Sequence, residues 1–282
     1  MARGSNSIEI RKVSPAVGAE ILGVDLANGL DDETFDAIRT AFRDHSVIFF
    51  RDQKLRPEDH IAFAERWNKI NINRFFKPVD GYPMIAEVRK EPEDKKNIGS
   101  NWHTDHSYDQ IPAMGSVLYA LETPPVGGDT IFSSMYLAYE TLSDGLKSML
   151  EGLSAHHSSR HAFGASRADE TTKTGRIGNP ELATQDAIHP VVIPHPLSGR
   201  KALYVNPDFT LGFVGWTEEE SQPLLNYLYA HASRPEFTCR FKWADGSVAF
   251  WDNRATWHCA LNDYHGHRRL MHRITVEGVS LN

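Results

Sequence analysis

Asn101-Trp102-His103-Thr104-Asp105 is the stretch whose reading decides the fold. On a β-strand, side chains alternate between the two faces, so His103 and Asp105 share one face and Thr104 takes the other. An imidazole and a carboxylate held side by side on a strand supply two of three facial ligands for a metal ion. The triplet alone says little. With 14 histidines and 19 aspartates in 282 residues, chance gives roughly one His-x-Asp. Its meaning depends on what the rest of the chain brings to it.

Working outward, Trp251-Asp252-Asn253-Arg254-Ala255-Thr256-Trp257-His258 reads as strand, turn and strand, and delivers a second imidazole from more than half the chain away. Such a separation suits two sheets of one barrel converging on a point. Two histidines and one carboxylate with open positions fit non-haem Fe(II); the same set also suits catalytic Zn(II). Past His258, Arg268-Arg269-Leu270-Met271-His272-Arg273 reads as a strand with Arg269, Met271 and Arg273 on one face. Two guanidinium groups on an inward face make sense if each meets an acid, because such pairs are bidentate and strong. A zinc hydrolase has no need of them, whereas an iron site using a dicarboxylate cosubstrate does. Thr130, after Gly127-Gly128-Asp129, offers a hydroxyl to the same carboxylate.

The remaining pattern is that of short strands, Gly/Pro turns and a few helices. Strands are expected at Ile8–Val13, Gly18–Leu26, Met84–Val88, Ser116–Glu122, Ile131–Phe132, Ile188–Ile193, Lys201–Asn206, Phe237–Trp243, Ser247–Asp252 and Arg268–Val276. Val47-Ile48-Phe49-Phe50 is a continuous apolar run, as expected of a strand covered on both faces. Asp31-Asp32-Glu33 opens a helix whose stripe is Phe35, Ile38, Ala41 and Phe42. A second helix spans Arg56–Trp67, with Pro57 in its first turn and Phe63, Ala64 and Trp67 as anchors. Two short helices fit Met135–Leu142 and Gly145–Leu153, and a capping box at Thr217–Glu220 opens another to about His231. Asn68–Asp80 and Glu91–Ser100 read as loops. The polar segment 165–187 is long for a connection and is expected to be a mobile lid. Helices do not alternate with strands, so the expected class is mainly β with peripheral helices, a two-sheet barrel or jelly roll, with 1–282 as a single catalytic domain.

Composition excludes several functions. A net charge of −7 argues against nucleic acid and anionic membrane surfaces as partners, though not against a small anion in a locally basic pocket. Cys239 and Cys259 make no disulfide framework. The first seven residues lack a signal-peptide core, and no run approaches the ~18 apolar residues of a membrane span. A cytoplasmic location is therefore expected.

Together Asn-Trp-His103-Thr-Asp105, Gly-Gly-Asp-Thr130, Trp-Asp-Asn-Arg-x-Thr-x-His258 and Arg-Arg269-x-Met-His-Arg273 resemble the taurine dioxygenase family of Fe(II)/2-oxoglutarate-dependent dioxygenases, whose members include alkylsulfatases and aryloxyalkanoate-degrading enzymes. The likeness runs in order from about Ile8 to Val279. It implies a double-stranded β-helix (jelly-roll) fold, with His103, Asp105 and His258 as iron ligands. It further implies that Arg269 and Thr130 bind the distal carboxylate of 2-oxoglutarate, and that Arg273 stands where taurine enzymes hold the substrate sulfonate. The implied reaction uses O2 to hydroxylate a small organic anion (a sulfonate, sulfate ester or aryloxyalkanoate), often with C–S or C–O cleavage, and releases succinate and CO2. A homo-oligomer, dimer or tetramer, is implied too.

This sequence departs from the taurine-specific pattern at Asn73, Phe76 and Gly99, where those members carry His, Tyr and Asn. The swaps remove polar groups from the expected substrate wall, and a lost hydrogen bond redirects specificity. A larger, more apolar anion is expected, with Phe163, Phe209 and Phe75 as candidate wall residues. His106 reads as a pocket residue without a ligand role, and His156, His157, His161, His265 and His267 as surface or loop histidines. Arg268 falls on the opposite strand face, Cys259 reads as buried filler, and Trp102 and Trp251 as core. Two other classes stand beside this one: a jelly-roll Zn(II) or Mn(II) enzyme without 2-oxoglutarate, and a non-catalytic anion-binding jelly roll.

Overall fold

The structure is a computed structural model and describes residues 8–164 and 174–281. In chain order its strands are β1 (Glu9–Lys12), β2 (Ala19–Leu22), β3 (Val47–Phe50), β4 (Ile70–Asn71), β5 (Pro78–Val79), β6 (Tyr82–Lys90), β7 (Ala113–Glu122), β8 (Thr130–Ser134), β9 (Ser154–Ser158), β10 (Asp186–Pro190), β11 (Val192–Pro194), β12 (Lys201–Leu203), β13 (Thr210–Phe213), β14 (Thr238–Phe241), β15 (Val248–Asp252), β16 (Thr256–Ala260) and β17 (Arg269–Glu277). The helices are α1 (Asp32–His45), α2 (Pro57–Glu65), α3 (Met135–Glu140), α4 (Asp144–Leu150), α5 (Arg160–Phe163) and α6 (Glu218–Ala232). Among the described residues no helix is long and apolar enough to cross a membrane.

One nine-stranded sheet runs β1-β2-β3-β15-β7-β17-β6-β5, with β4 also on β17. Its pairs are antiparallel except β2 with β3. Beside it are three smaller sheets, β14-β8-β16, β10-β9-β13 and β11-β12, of which the first packs against its face. The apolar run of β3 shows how they stack. Val47 and Phe49 point between the sheets, where they join Leu118, Ala249, Trp251 and Met271 from the large sheet and Phe132, Cys239, Phe241 and Trp243 from the small one. Ile48 and Phe50 point the other way, into a second core with Val117, Val248, Phe250 and Ile274 and the stripe of α1 and α2. A strand whose two faces both meet apolar partners has no polar alternation to show. Phe49 stacks on Phe241 at 4.0 Å between centroids, and Phe42 of α1 on Phe250 at 4.3 Å.

The helices start where the sequence signals them. Asp31 accepts from the amide of Thr34 at the head of α1, and Thr217 with Glu220 forms the capping box of α6. α2 ends at Glu65, short of Trp67, yet Trp67 still packs edge-on against Phe35 and Phe250.

Several expectations are corrected. Asn101–Asp105 is not a strand: only His103 makes a β-bridge, and the chain turns immediately after Asp105, with His106 at φ 61° and the amide of Asp109 bonded to the carbonyl of His106. One bridge satisfies a period-two pattern as well as a full strand does, and the polar residues that follow favour a turn. Strand Gly18–Leu26 ends at Leu22, because Asp25 caps a short 3-10 turn over Leu26–Asn28. The span Ile188–Ile193 is two strands in different sheets, β10 and β11, and β12 stops at Leu203. β9 and β13 lack periodic signals and were not expected. His157 is therefore no surface histidine: it lies on β9 and is only 1% exposed.

Residues 165–173 of the expected lid lie outside the described residues. The rest of that segment is docked. Ile177 bridges Phe76, the Gly178 amide bonds the carbonyl of Phe75 at 2.8 Å, and the buried Arg176 lies 3.4 Å from Asp94.

His60 is one of several buried histidines that make the fold sensitive to acid. His60 on α2 is fully enclosed, and burial, aided by the charge of His272, lowers its pKa to about 3. Its neutral form belongs to the fold, so its contribution is complete above the unfolded value of about 6.5 and is lost as pH falls toward 3. Urea midpoints should drop between pH 7 and pH 5, with His60 accounting for at most about 2 kcal/mol. In His60→Leu the drop should shrink by that amount; an unchanged pH slope would show that other groups carry it.

Candidate active site

The site is assembled at one end of the two-sheet sandwich by a backbone bridge. The amide of His103 bonds the carbonyl of His258 at 3.1 Å, and the amide of His258 bonds the carbonyl of His103 at 2.8 Å. This exchange sets the two imidazoles 4.0 Å apart between centroids. His258 sits on β16, and the turn before it is stiffened by Arg254, which holds Asp252 through Nε at 2.8 Å and Nη2 at 2.7 Å, while His195 Nε2 donates to the same carboxylate at 2.9 Å. Asp105 follows two residues after His103. Its Oδ2 accepts from the Ser116 hydroxyl of β7 at 2.7 Å, and its Oδ1 lies 3.3 Å from Arg273 Nη1 and 3.8 Å from His103 Nε2.

One donor atom from each of His103, Asp105 and His258 lies within 4.8 Å of the others, and all three residues are buried. The side chains are prepared as a ligand set. His103 Nδ1 lies 2.8 Å from the carbonyl of Asn101, which fixes it as the N–H and leaves Nε2 as the lone pair. Burial opposes ionisation of Asp105, but the neighbouring Arg273 guanidinium outweighs it and holds the carboxyl well below the usual carboxylate range. Burial and the neighbouring His103 hold His258 neutral. Two imidazoles and one carboxylate fit a ferrous ion.

Arg269 and Arg273 share the inward face of β17 with Met271, as the alternation predicts, and Arg268 points away to pair with Glu91 and Glu122. Arg269 is buried, and among the described residues its Nε and Nη2 have no hydrogen-bond partner. Thr130 is the first residue of β8; its hydroxyl oxygen accepts from Trp243 Nε1 at 3.0 Å, which leaves its own O–H to donate. Donors waiting in a buried pocket suit a carboxylate. Arg273 lies over the Phe76 ring at 4.4 Å, with its Nε also unpartnered.

His103, Asp105, His258, Thr130, Arg269 and Arg273 line one cavity of about 560 Å³. So do the other residues singled out in the sequence: Asn73, Phe76, Gly99, Phe163 and Phe209. Three of them have structural work there. The Asn73 carboxamide oxygen accepts from the amides of Phe75 and Phe76 at 2.9 and 3.0 Å. Phe76 underlies Arg273. Gly99 has φ 79°, and a Cβ there would stand 3.1 Å from His103 Cε1, so its lack of a side chain makes room for a histidine of the cluster. Phe75 does not line the cavity; it lies behind Phe163, stacked at 4.3 Å. Sequence reasoning missed Tyr108, a buried wall residue packed against Phe209 at 4.8 Å, and gave no role to His106. Their adjacency to Asp105 in Asp105-His106-Ser107-Tyr108 was the available signal.

A jelly-roll sandwich with a buried His₂-Asp cluster and two basic groups in one cavity defines the class of non-haem iron oxygenases that use a keto-acid cosubstrate. Comparison with known proteins agrees. Residues 9–275 match the taurine catabolism dioxygenase TauD, TfdA family. An alkylsulfatase of Acinetobacter baylyi is 35% identical over 97% of this chain and 86% of its own length. An alpha-ketoglutarate-dependent sulfate ester dioxygenase of Pseudomonas putida is 33% identical over 96% and 90%. The crystal structure of a taurine dioxygenase from Burkholderia xenovorans superposes with a TM-score of 0.82 at 37% identity, over 96% and 91% of the two chains. The chain belongs to the TauD/TfdA family and is an Fe(II)- and 2-oxoglutarate-dependent dioxygenase. The reading as a Zn(II) or Mn(II) enzyme without 2-oxoglutarate, and that as a silent binding protein, give way to it.

Gly99→Ala tests the packing at His103. The added methyl meets both an unfavourable φ and the imidazole, so metal affinity should fall about tenfold with the circular dichroism spectrum unchanged. Wild-type affinity in this variant would mean that the ring shifts without consequence.

Proposed function

We propose that this dioxygenase hydroxylates a sulfonate, sulfate ester or aryloxyalkanoate, an organic anion larger and more apolar than taurine. In this reading His103, Asp105 and His258 hold the iron, Arg269 and Thr130 take the distal carboxylate of 2-oxoglutarate, and Arg273 grips the anionic group of the substrate. The observation that carries it is the pair of buried arginines with unpartnered N–H groups in the cavity that contains the His₂-Asp cluster. Buried donors without acceptors are costly, and two anions, one for each arginine, would satisfy them.

When bound, iron, 2-oxoglutarate and O2 supply the oxidation that puts a hydroxyl on a substrate carbon, with succinate and CO2 released; a carbon hydroxylated beside sulfur or oxygen then loses that bond. The chain's own part is placement. Arg273 is tied to Asp105 on one side, so an anion on its free edge is held a fixed distance from a metal ligand, and one C–H is kept near the reacting centre. Phe76, Phe163, Phe209 and Tyr108 give the rest of the substrate an apolar wall and exclude water. Support for the substrate class comes from this wall and from what the similar enzymes are named for. The same reading takes 1–282 as one catalytic unit, working in the cytoplasm as a dimer or tetramer.

Anaerobic Fe(II) plus 2-oxoglutarate should produce a weak visible charge-transfer band, and Arg269→Ala should lose it at ordinary cosubstrate concentrations. A panel of organic anions, scored by O2-dependent succinate with sulfite, sulfate and phenol detection, should give at least one active member. Arg273→Ala should raise KM for that substrate by about 100-fold, the equivalent of ~3 kcal/mol for a lost charged hydrogen bond, with the band retained. Loss of band and substrate together in Arg273→Ala would contradict the division of labour between the two arginines.

A further inference from the structure

His106 follows Asp105 directly and lines the cavity, yet neither the metal nor the cosubstrate gives it a task. Its backbone has φ 61°, the left-handed region that only a few side chains tolerate. The imidazole is 2% exposed. Its Nδ1 lies 2.8 Å from Asp109 Oδ2, and the other carboxylate oxygen of Asp109 accepts from Arg74 Nη2 at 2.5 Å. Burial works against ionisation of Asp109, but the bond from His106 and the charge of Arg74 prevail and keep its pKa low. An ionised carboxylate only accepts, so Nδ1 carries the proton and the ring is fixed in orientation. Nε2, on the far side of the ring from Asp109, is then its only free hydrogen-bonding site, and among the described residues it is buried with no partner. A ring fixed through Nδ1 by Asp109, on left-handed backbone, with its other nitrogen buried and bare in a residue that lines the substrate cavity, is built as a ligand-binding group; a packing residue here would be apolar.

We propose that His106 is a second polar anchor for the substrate, its Nε2 accepting a hydrogen bond from an O–H or N–H of the organic anion that Arg273 holds. The substrates of this enzyme then carry a polar group besides the anionic one, and Arg74 and Asp109 act as positioning residues for the ring. The polarity missing from the wall at Phe76 and Gly99, and turned toward the backbone at Asn73, is supplied from the turn after Asp105 instead. This rests on the reading of Arg273 as the anion site.

The test uses the enzyme loaded anaerobically with Fe(II) and 2-oxoglutarate and a panel of alkyl sulfates, alkanesulfonates and aryloxyacetates, each with and without a second hydroxyl or N–H amide group. Binding is read from perturbation of the visible band and turnover from succinate release. His106→Asn suits the left-handed backbone and retains a group for Asp109, but has nothing where Nε2 stands; His106→Gln reaches that point. Both variants should keep the 2-oxoglutarate band. His106→Asn should weaken binding of the doubly polar anions tenfold or more and leave the plain ones within twofold, and His106→Gln should recover most of the loss. Equal weakening of both kinds of anion, no weakening of either, or loss of the band overturns the assignment. Wild-type binding abolished by Arg273→Ala but indifferent to His106 overturns this proposal alone; a wild-type band that no anion perturbs overturns the anion reading and this proposal with it.

Discussion

Two backbone hydrogen bonds between His103 and His258 join the halves of this enzyme's site. Each is an ordinary amide–carbonyl bond, but the exchange fixes the distance between two imidazoles from segments far apart in sequence. The other site groups are referenced to it. Asp105 is two residues from one end of the bridge and is caught by Ser116 of the large sheet. His258 lies on β16 of the small sheet, beside β8, whose first residue is Thr130. The cavity is therefore where the two sheets are pinned together.

Charge balance in that cavity is incomplete in the protein itself. Asp252 and Arg254 neutralise each other beneath the β15–β16 turn, with His195 completing the carboxylate's bonds. Arg273 has Asp105. Arg269 lies 5.6 Å from the centre of the Trp243 ring, and burial lowers its pKa against the opposing pull of Tyr264 and Asp129. A desolvated guanidinium is tolerated when an anion arrives to meet it. On the proposed reading of Arg269 as the partner of the cosubstrate's distal carboxylate, fold stability and cosubstrate affinity are set against each other at one residue.

Much of this was legible in the chain. The inward face of β17 follows from alternation in Arg269-Leu270-Met271-His272-Arg273, and the two covered faces of β3 from an apolar run with no polar break. Helix starts at Asp31 and Thr217 follow from side chains that satisfy free amides. What was not legible is instructive. The stretch around His103 imitates a strand because a single bridge and a strand place alternate side chains alike; the left-handed turn at His106 decides otherwise. His157 looks like a loop residue because β9 is short and its neighbours are polar, and contacts from distant segments, β10 and β13 with Ser107 and Tyr204, bury it.

By itself the sequence determined which side chains the chemistry has at hand: two imidazoles, a carboxylate, two inward arginines and a hydroxyl, at spacings that strands and turns impose locally. Tertiary structure alone decided what those groups face. Gly99 is bare because His103 stands against it, Asn73 turns its oxygen to the backbone, and His106 has one nitrogen held and the other free. Such facts depend on contacts between segments distant in the chain, where packing rather than local preference sets each side chain's surroundings.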